Sequence, residues 1–304
     1  MAKLLKPFVF LHDITIKKEK SMIIDFHTHI FPEKIAGRVA EKLQWEAGTA
    51  AVILPTAECL LASMQEAGVD LSVILPVVTA PRQTETINTT ALLTNEQYRS
   101  LGLHSFGGIH PDDDNYRKTL RWIASHDLKG IKLHPVYQGV PFDDIRTKRI
   151  ISYAEELGLI IQVHAGPDIG VPGDQASAIR LLNVIEELKP SKLVLAHMGC
   201  WSQYDLVLEL LAGQKCYLDT AFALRRPYRQ IPKGPDISGL PDLCSDEQFV
   251  RIMKKHGAHR ILFATDSPWS SQSEQVALIR SLPITEEEKT AILGANAYGL
   301  LNGV

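Results

Sequence analysis

Two histidines one residue apart, His27 and His29, stand in the run Ile24-Asp25-Phe26-His27-Thr28-His29-Ile30-Phe31-Pro32. On an extended strand, residues two apart face the same way, so both imidazoles can approach one ion while Phe26 and Thr28 point elsewhere. Alone the pair is weak, because packed or surface histidines produce it by chance. Three further positions strengthen it. His164 ends Ile160-Ile161-Gln162-Val163-His164, His197 ends Leu193-Val194-Leu195-Ala196-His197, and Asp266 follows Ile261-Leu262-Phe263-Ala264-Thr265. Imidazoles and a carboxylate are borderline ligands suited to zinc, manganese, iron or cobalt. A divalent ion at His27, His29, His164 and Asp266 would bring the pKa of bound water toward neutrality and polarise an electrophilic substrate group. Asp266 would also take a proton from that water. His197 would orient water, polarise a carbonyl or protonate an intermediate. The bland alternatives are a carboxylate that accepts backbone donors and a hydrogen-bonded core histidine.

These positions meet only if the chain brings its strand ends together. Eight β-rich runs are expected: 22–27, 71–77, 103–110, 130–134, 158–164, 192–197, 215–220 and 260–265. Their nearly continuous apolar centres suit parallel strands covered on both faces. Helices are expected between them at about 56–67, 84–99, 113–125, 143–157, 174–188, 202–211, 246–256 and 272–281, with a last one ending near Asn296. Ser245-x-x-Gln248, Ser271-x-x-Glu274 and Thr285-x-x-Glu288 read as capping boxes, and Gly68, Gly130, Gly158, Gly213 and Gly257 as helix-to-strand punctuation. Eight such units imply a single (β/α)8 TIM barrel with a C-terminal helix, spanning 21–304 after an N-terminal extension, 1–20. Residues 31–55 and 221–242 break the spacing. As excursions from the C-terminal strand face they would cover substrate or serve an oligomer contact.

The motifs Ile24-Asp25-Phe26-His27-Thr28-His29, Val163-His164-Ala165-Gly166, Leu195-Ala196-His197-Met198-Gly199 and Phe263-Ala264-Thr265-Asp266-Ser267-Pro268 together resemble the amidohydrolase superfamily. The branch is that of amidohydrolase-2 and aminocarboxymuconate-semialdehyde decarboxylase. Ile292-Leu293-Gly294-Ala295-Asn296-Ala297 resembles its closing helix. The resemblance covers residues 21–302 and implies one catalytic ion at His27, His29, His164 and Asp266, with His197 in substrate or proton-transfer chemistry. Zinc is the first expectation and manganese the second.

Lys132, in Gly130-Ile131-Lys132-Leu133-His134-Pro135, occupies the strand end where some barrels of the wider family carry a carboxylated lysine bridging two ions. A carbamate there would bring a second ion, whereas an ammonium would anchor an anionic substrate or a nearby carboxylate. His134 would orient Lys132. His110 reads as packing or as support for the site. Arg82 and the pair Arg225 and Arg226 could grip a carboxylate with two hydrogen bonds, or be solvated loop charges. Trp201 and Trp269 would wall the site or stabilise loops. The leading expectation is hydrolysis of a small ester, lactone or amide, carboxylate-bearing ones included, by ion-activated water. The alternatives are nonoxidative decarboxylation of a small unsaturated or aromatic acid, and a noncatalytic protein that binds a small molecule through its metal.

The whole composition agrees. With 45% hydrophobic and 22% charged residues, the chain can bury a large core beneath a solvated surface. A net charge of -3 offers no electrostatic reason for a nucleic-acid partner. Four scattered cysteines form neither a disulfide scaffold nor a thiolate zinc site. No apolar run approaches membrane-spanning length, and the start lacks a signal-peptide core. The expectation is a cytoplasmic protein, without a membrane partner, assembled as a homodimer or other homo-oligomer around a small-molecule substrate.

Overall fold

The computed structural model describes residues 21–304 except Arg226, so the expected N-terminal extension lies outside the described residues. The strands are β1 (Ile24–Thr28), β2 (Leu71–Ile74), β3 (Leu103–Ser105), β4 (Gly107–Gly108), β5 (Gly130–Leu133), β6 (Ile160–Val163), β7 (Leu193–Leu195), β8 (Tyr217–Asp219) and β9 (Ile261–Leu262). Every strand pairing among the described residues is parallel, in the orders β1-β2-β3 and β4-β5-β6-β7-β8-β9. The third expected strand is thus split at Phe106, with β3 on β2 and β4 on β5. The ring closes where Phe26 N donates to Phe263 O at 2.9 Å and Asp266 N to His27 O at 2.8 Å. This is the expected (β/α)8 barrel, built from buried Val, Ile and Leu with both strand faces covered.

Asp25 reinforces the closure. Its carboxylate accepts from Thr265 N at 3.0 Å, Thr265 Oγ1 at 2.6 Å and Gln272 Nε2 at 2.7 Å. Burial pushes this carboxyl up to about 7 against the pull of those donors.

The helices are α1 (Glu33–Ala47), α2 (Ala57–Ala67), α3 (Thr84–Tyr98), α4 (Tyr116–Ser125), α5 (Pro135–Gln138), α6 (Ile145–Glu156), α7 (Ala178–Leu188), α8 (Tyr204–Leu206), α9 (Asp246–His256), α10 (Gln272–Ser281), α11 (Glu286–Thr290) and α12 (Asn296–Asn302). Helix α8 runs into a wider π-type turn, Val207–Leu211, and α11 reaches α12 through another, Ala291–Ala295. The last helical run therefore extends to Asn302, past its expected end. Two capping boxes are reciprocal, at Ser245 with Gln248 and Thr285 with Glu288. Ser271 only accepts from Glu274 N.

Glycine is required where this closing run crosses the barrel floor: a Cβ on Gly294 would lie 1.9 Å from Met22 O. The other expected punctuation differs at Gly130, which lies inside β5 rather than at a helix end. Of the two excursions, 31–55 contains the unexpected helix α1, whereas 221–242 is irregular. They touch each other, with Ala50 N donating to Arg229 O at 2.8 Å. The four cysteines are free thiols, and burial pushes those of Cys200, Cys216 and Cys244 up to about 12. Among the described residues no helix is long and apolar enough to cross a membrane.

Candidate metal centre

Strand β1 delivers His27 to the barrel mouth where its register against β2 slips, between Asp25 and Thr28. His27 Nδ1 lies 2.9 Å from Asp219 Oδ2 at the end of β8, and His29 Nδ1 lies 2.8 Å from the carbonyl of Leu75. Both partners are acceptors, so each Nδ1 carries the proton and each Nε2 presents a bare lone pair. Those two Nε2 atoms stand 3.2 Å apart. Asp266 Oδ1 completes the group at 3.1 Å from His29 Nε2 and 3.5 Å from His27 Nε2.

Three electron-pair donors so close repel one another unless positive charge sits among them. Ligand atoms about 2.0–2.2 Å from a shared ion stand roughly 3–3.5 Å from each other, so the spacing and chemistry of this trio fit a divalent cation. Burial raises the Asp266 carboxyl, and positive charge on the neighbouring imidazoles would bring it well below the usual carboxylate range; with the imidazoles neutral, a cation between them supplies that charge. Burial, with Lys132 beside it, keeps His27 neutral.

His164 stands one imidazole away from this group. Its Nδ1 is 3.0 Å from Nε2 of His197, whose own Nδ1 donates to Ala221 O at 2.7 Å. The His27 and His197 ring centres are 5.3 Å apart, so the imidazoles form one continuous cluster. His164 also belongs to a second group of potential ligands, with His134 and Asp168. There the His134 ring is sandwiched between His164 at 4.1 Å and Tyr137 at 3.9 Å, nearly parallel to both. His134 Nδ1 accepts from Tyr137 N at 3.3 Å. Among the described residues no hydrogen bond joins His134 to Lys132, and this stack holds the ring instead.

Lys132 itself is buried with Nζ 3.3 Å from His27 Nε2. Burial brings it down to about 8 against the attraction of Asp219 and Asp266. His197 and Asp266 both hold left-handed backbone conformations, φ 58° and 62°. Such residues are strained and persist where neighbours pin them. His197 N donates to Asp219 Oδ1 at 2.9 Å, and Asp266 N donates to the carbonyl of His27.

Apart from the buried Asp219, these groups open onto one cleft of about 940 Å³, which Arg82, Trp201, Trp269, Phe222 and helix α1 also line. Arg225 does not. It grips Asp246 with bonds of 2.9 and 2.7 Å at the exposed start of α9, which corrects its expected place at the substrate. Arg226 lies outside the described residues. His110 is buried off the cleft, accepting Asp112 N at 3.1 Å.

Sequence reasoning missed Asp219. Oδ2 takes the proton of His27 and an amide proton of Gln162, while Oδ1 takes the backbone protons of His197 and Ala221. Burial raises this carboxyl, opposed by His197 and Lys132. Its position at the end of Tyr217-Leu218-Asp219 carried the same strand-end signal as His164 and His197. Tyr137 and Asp168 were missed too, one on the short helix α5 and the other in the irregular segment after β6, where no periodicity marks them.

The amidohydrolase family model matches residues 24–303. No curated protein sequence matches the chain. Among solved structures, 2,6-dihydroxybenzoate decarboxylase from Rhizobium superposes with TM-score 0.69 at 13% identity, covering 93% of this chain and 99% of its own. A dihydroxybenzoic acid decarboxylase from Polaromonas, with bound manganese and the inhibitor 2-nitroresorcinol, gives 0.67 at 15%, covering 93% and 97%. A probable 2-pyrone-4,6-dicarboxylic acid hydrolase from Acinetobacter baumannii, with citric acid bound, gives 0.61 at 16%, covering 92% and 99%. At such identities these likenesses show the fold. With the family match and a donor set that fits a divalent cation, the chain belongs to the amidohydrolase family, as a metal-dependent enzyme of its amidohydrolase-2-like TIM-barrel branch.

Proposed function

We propose that this chain releases carbon dioxide from a small aromatic or unsaturated carboxylic acid without a redox step. One observation carries the reading: a buried lysine and a carboxylate flank the paired imidazoles, with Lys132 Nζ 3.3 Å from His27 Nε2 and Asp266 Oδ1 3.1 Å from His29 Nε2. His27, His29 and Asp266 would hold the ion, with His164 as the further ligand. A divalent ion there supplies Lewis acidity and positive charge.

Lys132, withdrawn from water, attracts the substrate carboxylate more strongly than a surface lysine would. Arg82 on the cleft wall, without an ion pair among the described residues, supplies a second cation for an acidic substrate. As the bond to the carboxyl carbon breaks, its electron pair stays on the carbon left behind, which must take up a proton. Asp266 receives a proton from a neighbouring hydroxyl or water and passes it to that carbon. His197, its ring fixed through Ala221, steadies charge on the substrate oxygen. Trp201, Phe222 and Trp269 offer walls for a flat ring. The fold shared with two benzoate decarboxylases supports this reading.

Hydrolysis is the second reading. A carboxylate held ionised, as Asp266 is, accepts a proton from attacking water, and the fold shared with a pyrone-dicarboxylate hydrolase supports it. The test restores zinc or manganese to the protein and supplies 2,6-dihydroxybenzoate and other aromatic or unsaturated acids in D2O, with lactones and aryl esters in parallel in 18O-labelled water. Carbon dioxide with deuterium at the vacated carbon is the expected result. Products carrying labelled oxygen with no carbon dioxide would overturn it in favour of hydrolysis, and metal-dependent binding with neither product would leave a binding protein.

A further inference from the structure

The cleft is larger than a single-ring acid needs. About 940 Å³ lies at the upper end of pockets that enclose drug-sized ligands, and its lining runs beyond the metal centre to α1 and α3. Along α1, Ile35, Val39 and Leu43 recur every four residues, forming a stripe that is only half-buried and lines the cleft. Helix α3 also lines the cleft, with Ile87 and Leu93, the latter 56% exposed. The hydroxyls of this wall are turned to their own helix: Thr90 Oγ1 donates to Thr86 O at 2.8 Å and Thr94 Oγ1 to Thr90 O at 2.9 Å. Thr90 and Thr94 both line the cleft. A polar, charged end at the barrel mouth thus continues into an apolar limb.

We propose that this limb is a second subsite that takes an apolar chain of several carbons, attached to the group that reacts at the metal centre. The continuity of the limb with His27, His29 and Asp266 favours a substrate chain over a separate ligand. The inference rests on the proposed function only for the carboxylate that marks the reacting end.

The test measures calorimetric binding of benzoate, 4-n-alkylbenzoates from methyl to octyl, and the matching 4-n-alkylbenzyl alcohols to the zinc-loaded protein. Affinity should rise about fourfold for each buried methylene, in acids and alcohols alike, until the limb is filled. Val39→Trp, which fills the limb, and Leu93→Asp, which charges its wall, should each abolish the rise while leaving benzoate binding unchanged. Chain-length-independent affinity in the parent protein, or a rise that persists in both variants, overturns the subsite. So does a parent protein that sediments as a dimer and splits on Val39→Trp, which would make the limb an interface between two copies. A rise in both series without any gain of acid over alcohol upholds the subsite and overturns the carboxylic substrate instead.

Discussion

Asp219 governs the metal centre without pointing into it. Which imidazole nitrogen is free for a cation depends on where the other nitrogen places its proton, and for His27 that is the Asp219 carboxylate. Four donors converge on its two oxygens, so an ionised carboxylate is satisfied there and an amide is not. In Asp219→Asn, one amide hydrogen must face a donor, either His27 Nδ1 or the backbone of His197. The expected outcome is a folded protein whose zinc affinity falls about 10- to 100-fold, read by competition with a chromophoric chelator. Unchanged affinity would remove Asp219 from this role. Arg225 shows the opposite case: a charge with the right type for substrate binding is already spent on Asp246.

At the scale of elements, the strand that presents Asp219 is tied to helix α9 by His256. Its Nδ1 accepts Gly213 N at 3.2 Å and its Nε2 donates to Cys216 O at 3.0 Å, just before β8. Burial pushes this imidazole down to about 4 from 6.5, helped by Arg260. Below pH 6.5 the unfolded chain therefore takes up a proton that the folded chain refuses. The stability associated with this group is full above pH 6.5 and declines as pH falls toward 4, by about 2 kcal/mol between pH 7 and 5. Glutamine can both accept and donate at this place, so His256→Gln should flatten that part of the acid slope in urea unfolding at the two pH values. An unaltered slope would show that His256 is not held neutral. Elements differed in how legible they were. Helix α9 announces itself by the Ser245–Gln248 box, whereas α1 follows Pro32 without any side-chain cap, so no capping signal marks its start. The third strand looked continuous because β-propensity does not reveal that Phe106 divides its pairing between two neighbours.

For the whole molecule, the barrel mouth concentrates lone pairs that a cation reconciles, so metal and stability must be linked. Restoring zinc or manganese at a thousandfold excess over its dissociation constant should raise the unfolding free energy by about 4 kcal/mol, seen as a higher Tm after chelation is reversed. No change in Tm would mean that the trio does not bind the ion in the folded state. The amino-acid sequence by itself determined the alternation of strands and helices, hence the barrel, and the histidines and aspartate at successive strand ends, because these follow from periodicity and position along one chain. The tertiary structure alone decided which nitrogens are bare, that His164 leans on His197, that Arg225 is occupied elsewhere, and that α1 and α3 leave an apolar limb beside the mouth. Each of those depends on a partner supplied by a distant segment: the proton of His27 is placed by a carboxylate 192 positions away. Local residue patterns carry no record of that pairing.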